Sequence, residues 1–249
     1  MLTEPTIGPP QLSPLVVSDA EQSGILASVV IGQHASVSAL SDEQVTDWSS
    51  LGKLHDDERQ MALAMAPTRR AGFIAGRVAL RAALGALDAG RPTDPILHTP
   101  RGAPALPAGV IGSISHKATR AVAVVVASER GFVGVDLETR ANVADIRRPS
   151  IASRILTARE QDAIRLLDPV AHRDATLLRF SLKEAVYKAI DPIVARYVRF
   201  SEVELDVTDD GMATVRLLLP EFASSAPTVH ARWHADNTWF ISAARVWYE

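Results

Sequence analysis

The chain has 249 residues, carries 26 Lys or Arg against 29 Asp or Glu for a formal net charge of −3, and contains no cysteine. That length suffices for one large domain or two small ones, and the charge balance argues against a nucleic-acid binder. Without Cys there are no disulfides, no Cys-ligated zinc and no thiol catalysis, which fits a reducing compartment.

Residues 1 to 22, with Pro5, Pro9, Pro10 and Pro14 and little periodicity, read as a loosely ordered arm. Gly24 to Gln33 reads as a buried strand. Ser41-Asp-Glu-Gln has the form of a capping box and opens a short helix through Trp48. Asp56-Asp-Glu-Arg begins a second helix that Pro67 ends, and a third runs from Arg69 to Leu87. No Lys or Arg precedes Lys53, so no basic leader is expected.

A Pro/Gly loop, Thr99 to Gly109, precedes a strand at Val110 to His116. Ala121 to Ala127 is a second strand and the longest wholly apolar run, too short to span a bilayer. Its tight turn at Ser128 to Gly131 suggests an antiparallel hairpin with the next strand, Gly131 to Glu138. Helical patterns follow at Asp145 to Ile155, weakly, at Thr157 to Leu167, with Thr-x-x-Glu at its start, and at Val170 to Ile190. Strands are expected at Phe200 to Val207, Ala213 to Leu219, Val229 to His234 and Trp239 to Trp247.

Two stretches carry chemistry. In Gly134-Val-Asp-Leu-Glu138, strand alternation puts Val133, Val135 and Leu137 on one face and Gly134, Asp136 and Glu138 on the other. Two carboxylates side by side on a strand expected to be central ask for a counter-charge, and a hard cation such as Mg²⁺ would meet that need. In Phe180-Ser-Leu-Lys-Glu-Ala-Val-Tyr-Lys188, helical spacing makes an apolar stripe of Leu178, Leu182, Ala185 and Ala189. Glu184 and Lys188 share a face beside that stripe, and Lys183 lies on its other flank. Taken alone this is an ordinary i,i+4 pair, and the strand could equally end in solvent.

Charge is also unevenly distributed. Residues 65 to 120 hold eight Lys or Arg (Arg69, Arg70, Arg77, Arg81, Arg91, Arg101, Lys117, Arg120) against Asp88 and Asp94, a local +6 that leaves −9 elsewhere. Arginines on a helix and a Gly/Pro loop suit phosphate oxygens, and Ser115-His116 ends a strand among them. Phe73 to Arg81 also aligns without a gap on Phe180 to Lys188, which hints at two similar halves.

With Gly112-Ser-Ile-Ser-His116, Pro100-Arg-Gly-Ala-Pro104 and Arg69 to Arg77, these motifs run in the order found in the 4′-phosphopantetheinyl transferases, which the chain resembles over residues 55 to 205. That family modifies the carrier proteins of fatty-acid, polyketide and nonribosomal-peptide synthesis. The resemblance looks closest to the enterobactin-synthetase-associated branch of the two-domain type, although many relatives have Trp in place of Phe180 and Lys in place of Arg101.

The resemblance implies an α/β fold of two similar halves related by pseudo-twofold symmetry, residues 23–130 and 131–249, with coenzyme A in an active-site cleft between them. It implies Mg²⁺ (Mn²⁺ as a substitute) on Asp136, Glu138 and Glu184, with Glu184 also the candidate general base. Lys183 and Lys188 are expected on the phosphates, His116, Ser115 and Arg69 around the 3′-phosphate, and Arg77 and Arg101 on further phosphate oxygens. Expected partners are coenzyme A and an acyl or peptidyl carrier protein, with no nucleic acid and no membrane, for a cytoplasmic monomer. The alternatives are a coenzyme A- or nucleotide-binding module without catalysis, and a metal-dependent phosphodiester hydrolase.

Overall fold

The computed structural model describes residues 10–14, 25–31, 54–86, 94–117, 120–141 and 150–248, the first two stretches as backbone. The helix expected at Ser41 to Trp48 lies outside the described residues, as do most of 1–22 and the first part of the stretch from Asp145. The chain divides into two compact units, Met1–Glu129 and Arg130–Glu249.

The first unit is a four-stranded antiparallel sheet in the order β1-β2-β4-β3, made of β1 (Pro10–Pro14), β2 (Ile25–Ile31), β3 (Val110–Lys117) and β4 (Arg120–Ala127). β1 falls where a loose arm was expected. Its position on the sheet edge explains why its two prolines are tolerated, since an edge strand has backbone N–H groups that need no partner strand. Helix α1 (Asp56–Ala64) is started by His55, whose Nδ1 accepts from Asp57 N while Glu58 accepts from His55 N. Helix α2 (Pro67–Ala86) buries Phe73, Ile74, Leu80 and Leu84 against Ala121, Ala123 and Val125 of β4. Two glycines bring this helix close to β3. A Cβ on Gly76 would lie 2.9 Å from Ile114 Cγ2, and one on Gly72 would lie 2.4 Å from His116 Nδ1.

β5 (Phe132–Thr139) does not form the expected hairpin with β4. β4 is already flanked by β2 and β3, so it has no free edge to offer. A short 3₁₀ turn at Ser128–Arg130 and Gly131, at φ +90°, instead lead into a second sheet. A Cβ at Gly131 would sit 2.2 Å from Val246 O, so this position needs glycine for both space and backbone conformation.

The second unit has five antiparallel strands in the order β5-β9-β8-β7-β6, where β6 is Val203–Val207, β7 Met212–Leu217, β8 Thr228–Ala235 and β9 Trp239–Trp247. β5 therefore ends the hydrogen-bonded order rather than standing in its centre. It is nonetheless buried from Val133 to Glu138. Two short helices, α3 (Ala152–Ile155) and α4 (Ala158–Ile164), form a small apolar cluster with Phe180 and Phe200. As the Thr-x-x-Glu pattern predicts, Thr157 and Glu160 close a capping box on α4.

The long helix α5 (Pro169–Val194) lies across β5 and β9. Asp168 caps it by accepting from Val170 N and Ala171 N at 2.9 and 3.1 Å, Pro169 occupies its first turn, and Ala195 ends it at φ +53°. The predicted stripe of Leu178, Leu182, Ala185 and Ala189 is buried in the core of this unit with Leu205, Phe222 and Phe240.

Candidate active site

The acidic part of the site follows from one glycine. A Cβ on Gly134 would fall 1.9 Å from Ala185 O and 2.8 Å from Ala189 N, so the backbone of α5 rests directly on β5. Alternation then turns Asp136 and Glu138 toward the helix as well, where they are 6% and 7% exposed. Lys188 reaches across and donates from Nζ to Asp136 Oδ1 and to Val135 O, both at 2.8 Å. Glu184, one turn earlier and half-buried, belongs to the same group. Burial pushes its carboxyl above the ordinary range, Lys188 opposes the rise, and the charges of Asp136 and Glu138 add to it.

Three carboxylates from two distant segments thus act on one another. They provide hard oxygen donors of the kind Mg²⁺ takes. They are not closed onto a common point: among the described residues, no group of three or more His, Cys, Asp or Glu is spaced to hold a metal ion. The cation on Asp136 is the ammonium of Lys188. Beside Glu184 lies a small cavity of about 40 Å³ walled by Tyr187, Tyr197, Val198 and Phe200.

Lys183 departs from expectation. Its ammonium donates to Glu160 Oε2 at 2.7 Å, Ile155 O at 2.8 Å and Phe200 O at 2.9 Å, and the residue is 1% exposed. An ammonium has three donors, and here all three are taken by the protein. Burial pulls its pKa down while Glu160 holds it up. Glu160, equally buried, also accepts from Thr157 N and Leu205 N. Lys183 is therefore a structural tie between α5, α3, α4 and the turn at Phe200 that precedes β6, and no donor remains for a phosphate. In the sequence Glu160 carries no signal beyond its place in the Thr-x-x-Glu capping pattern.

Arg77 also departs from expectation, because it is turned inward. Its guanidinium donates to Ile96 O at 2.7 Å, lies 4.5 Å from the centre of the Phe73 ring, and is 4% exposed, with burial lowering its pKa to about 10. Arg81 pairs with the fully buried Glu58, and Arg70 donates to Leu63 O and Met65 O at the end of α1. Much of the basic excess of residues 65–120 thus holds the first unit together.

Arg69, Arg101 and His116 are exposed, while Lys117 and Arg120 are half-buried. The His116 ring lies against Gly72, one helical turn from Arg69, so these two meet on one face of the unit. Ser115 alternates to the opposite face of β3 and is buried, so it does not join them. Arg101 stands on a tight turn closed by Gly102 N donating to Thr99 O, with Gly102 at φ +87°. The unpredicted member is His98. Burial lowers its pKa, Arg77 and Arg69 add to the fall, and a bond with the Gly102 backbone opposes it, which ties the Arg101 turn to the Arg69 side. A lone histidine before a Pro/Gly loop gives no signal in the sequence.

Among the described residues no helix is long and apolar enough to cross a membrane. The model of the 4′-phosphopantetheinyl transferase N-terminal domain matches residues 57–126, and that of the 4′-phosphopantetheinyl transferase superfamily matches residues 132–243. Similar curated proteins include the 4′-phosphopantetheinyl transferase Svp of Streptomyces mobaraensis, 33% identical over 80% of this chain and 76% of its own length. Npt of Nocardia iowensis is 32% identical over 65% and 70%, and PptT of Mycobacterium tuberculosis is 30% identical over 81% and 89%. Among solved structures, a Bacillus anthracis holo-(acyl-carrier-protein) synthase in complex with CoA (3′,5′-ADP) has a TM-score of 0.37 at 19% identity, covering 47% of this chain and 96% of its own. The corresponding synthase of Plasmodium yoelii has 0.39 at 12% identity, covering 47% and 94%. On the sequence matches, which take in the acids of β5 and the helix that carries Glu184 and Lys188, the chain belongs to the 4′-phosphopantetheinyl transferases.

Proposed function

We propose that this chain transfers the 4′-phosphopantetheine arm of coenzyme A to a serine of an acyl or peptidyl carrier protein, with Mg²⁺, releasing 3′,5′-adenosine bisphosphate. The observation that carries the reading is the packing of the helix that bears Glu184 and Lys188 onto Gly134, beside the buried Asp136 and Glu138, with the Lys188 ammonium on Asp136. Arg69, His116 and Arg101 are the groups assigned to the phosphates of the adenosine half, and His98 stands beside them. We further place the chain in the two-domain, enterobactin-synthetase-associated branch, as a monomer working in the cytoplasm.

In the reaction, the serine Oγ forms a bond to the phosphorus that carries the pantetheine, and the bond from that phosphorus to the bridging diphosphate oxygen breaks. The serine proton passes to Glu184, directly or through a water, and the leaving oxygen departs as part of the bisphosphate. Lys188 is placed to follow the charge that develops on the diphosphate. Asp136, Glu138 and Glu184 would hold Mg²⁺, which supplies charge neutralisation at the phosphoryl oxygens.

The test is intact-mass measurement of an apo carrier protein incubated with the chain, coenzyme A and Mg²⁺. The carrier should gain the phosphopantetheine mass. Asp136→Ala should lower the rate by at least about a thousandfold, roughly 4 kcal/mol of barrier. Coenzyme A binding without mass gain on any carrier would make the chain a binding module instead.

A further inference from the structure

Lys188 is seated where a metal's charge is needed. Its Nζ uses two of three donors on Val135 O and Asp136 Oδ1, both at 2.8 Å, and its side chain is 27% exposed against 8% for Asp136. Its Cβ lies 2.9 Å from where a Gly134 Cβ would be, so the stem is pinned against β5 and only the outer methylenes and the ammonium are free to turn. The acids it neutralises are the donors assigned to Mg²⁺. An ammonium and a dication beside one buried carboxylate repel each other at short range, so each weakens the other's hold on Asp136. The open carboxylate arrangement fits that competition: the acids are neighbours, but among the described residues no set is spaced for a metal.

Resting on the transferase reading above, we infer that Lys188 is an exchangeable counter-cation. It neutralises Asp136 in the metal-free protein, and it leaves that carboxylate for a phosphate oxygen when metal and diphosphate arrive together. The exchange couples the two ligands. Metal alone must displace a lysine that has nowhere equally good to go, whereas metal with coenzyme A gives the released ammonium a new anion. Lys188 is then a positioning residue for the acids before it is a phosphate ligand.

The experiment measures Mn²⁺ binding by electron paramagnetic resonance with and without coenzyme A, on the full chain and on Lys188→Met and Lys188→Arg. In the parent, Mn²⁺ alone should bind weakly, and coenzyme A should tighten it at least tenfold. Lys188→Met should bind Mn²⁺ alone at least fivefold more tightly than the parent, with the tightening by coenzyme A reduced by a similar factor. Lys188→Arg, which keeps the charge, should resemble the parent. Equal or weaker Mn²⁺ binding by Lys188→Met, with a melting curve like the parent's, would overturn the exchange even if the parent modifies carriers normally. If Lys188→Met does not fold, parental affinity for Mn²⁺ that is unchanged by coenzyme A overturns it as well. A parent that binds no Mn²⁺ in either condition and modifies no carrier removes the transferase reading, and the exchange with it.

Discussion

Helices α2 and α5 bear charges at the same two places, the fifth and ninth positions counted from Phe73 and from Phe180, and use them in opposite ways. In α2 these are Arg77 and Arg81, whose guanidinium groups go to Ile96 O and to the buried Glu58. In α5 they are Glu184 and Lys188, which meet Asp136 at the strand below. The glycines that let each helix approach its sheet are also exchanged. In the first unit they sit on the helix, at Gly72 and Gly76, opposite Ile114 and His116. In the second it is on the strand, at Gly134, beside two acids. A charge on a helix is thus structural or chemical according to what the facing strand offers within reach.

The strongest way to break the comparison is at the glycines. Gly134→Ala puts a Cβ 1.9 Å from a backbone oxygen of α5, and backbone cannot turn aside as a side chain can. It should destabilise the chain by at least about 3 kcal/mol, the upper range for overpacking, and abolish carrier modification. A thermal melt near the parent's would show that α5 can lift from β5 at little cost. Next in size is Lys183→Met, which leaves Glu160 buried without its cation. Removing one partner of such a pair costs about 3–5 kcal/mol, and the double change with Glu160→Gln should recover part of it. Normal stability with lost transfer would restore Lys183 as a phosphate ligand.

The architecture was legible in this sequence wherever a local signal sufficed. The capping box at Thr157, the apolar stripe of α5 and the alternation in β5 each depend on neighbours within a few residues, and each is seen in the structure. Partner choice was not legible. Nothing local says that β4 already has two neighbours, or that β5 closes the order of another sheet. The fates of Lys183 and Arg77 were hidden for the same reason, since their acceptors lie 23 and 19 residues away. Glu184 and Lys188 were readable because the acids of β5 lie on one face of a strand, a pattern visible without the fold.

Smaller effects sharpen the contrast between the two glycine arrangements. The three atoms nearest the Cβ added by Gly72→Ala all belong to the imidazole of His116, a side chain that can rotate away, so stability should change little. Moving that ring should weaken coenzyme A binding by about tenfold, roughly 1.4 kcal/mol, while 3′-dephospho-coenzyme A binds alike to both proteins. Equal loss for both ligands would remove His116 from the 3′-phosphate.

The smallest expected effect is a pH dependence, and its sign separates the acidic site from an ordinary helix pair. Burial and the charges of Asp136 and Glu138 raise the Glu184 pKa above its ordinary 4.5, with Lys188 opposing. The fold therefore favours the protonated form. The contribution of that group to stability is complete below the unfolded value and is lost as pH rises through the raised one. Glu184→Gln cannot ionise and escapes the loss. In metal-free buffer with a chelator, its melting temperature should move ahead of the parent's as pH climbs above 4.5, and the gap should level off once the parent's Glu184 is ionised. Saturating Mg²⁺ should narrow or reverse the gap, because the ion favours the charged carboxylate that glutamine lacks. In an exposed Glu–Lys pair the lysine would dominate and the glutamine variant would instead be the less stable protein at neutral pH, an outcome that would take Glu184 out of the acidic group.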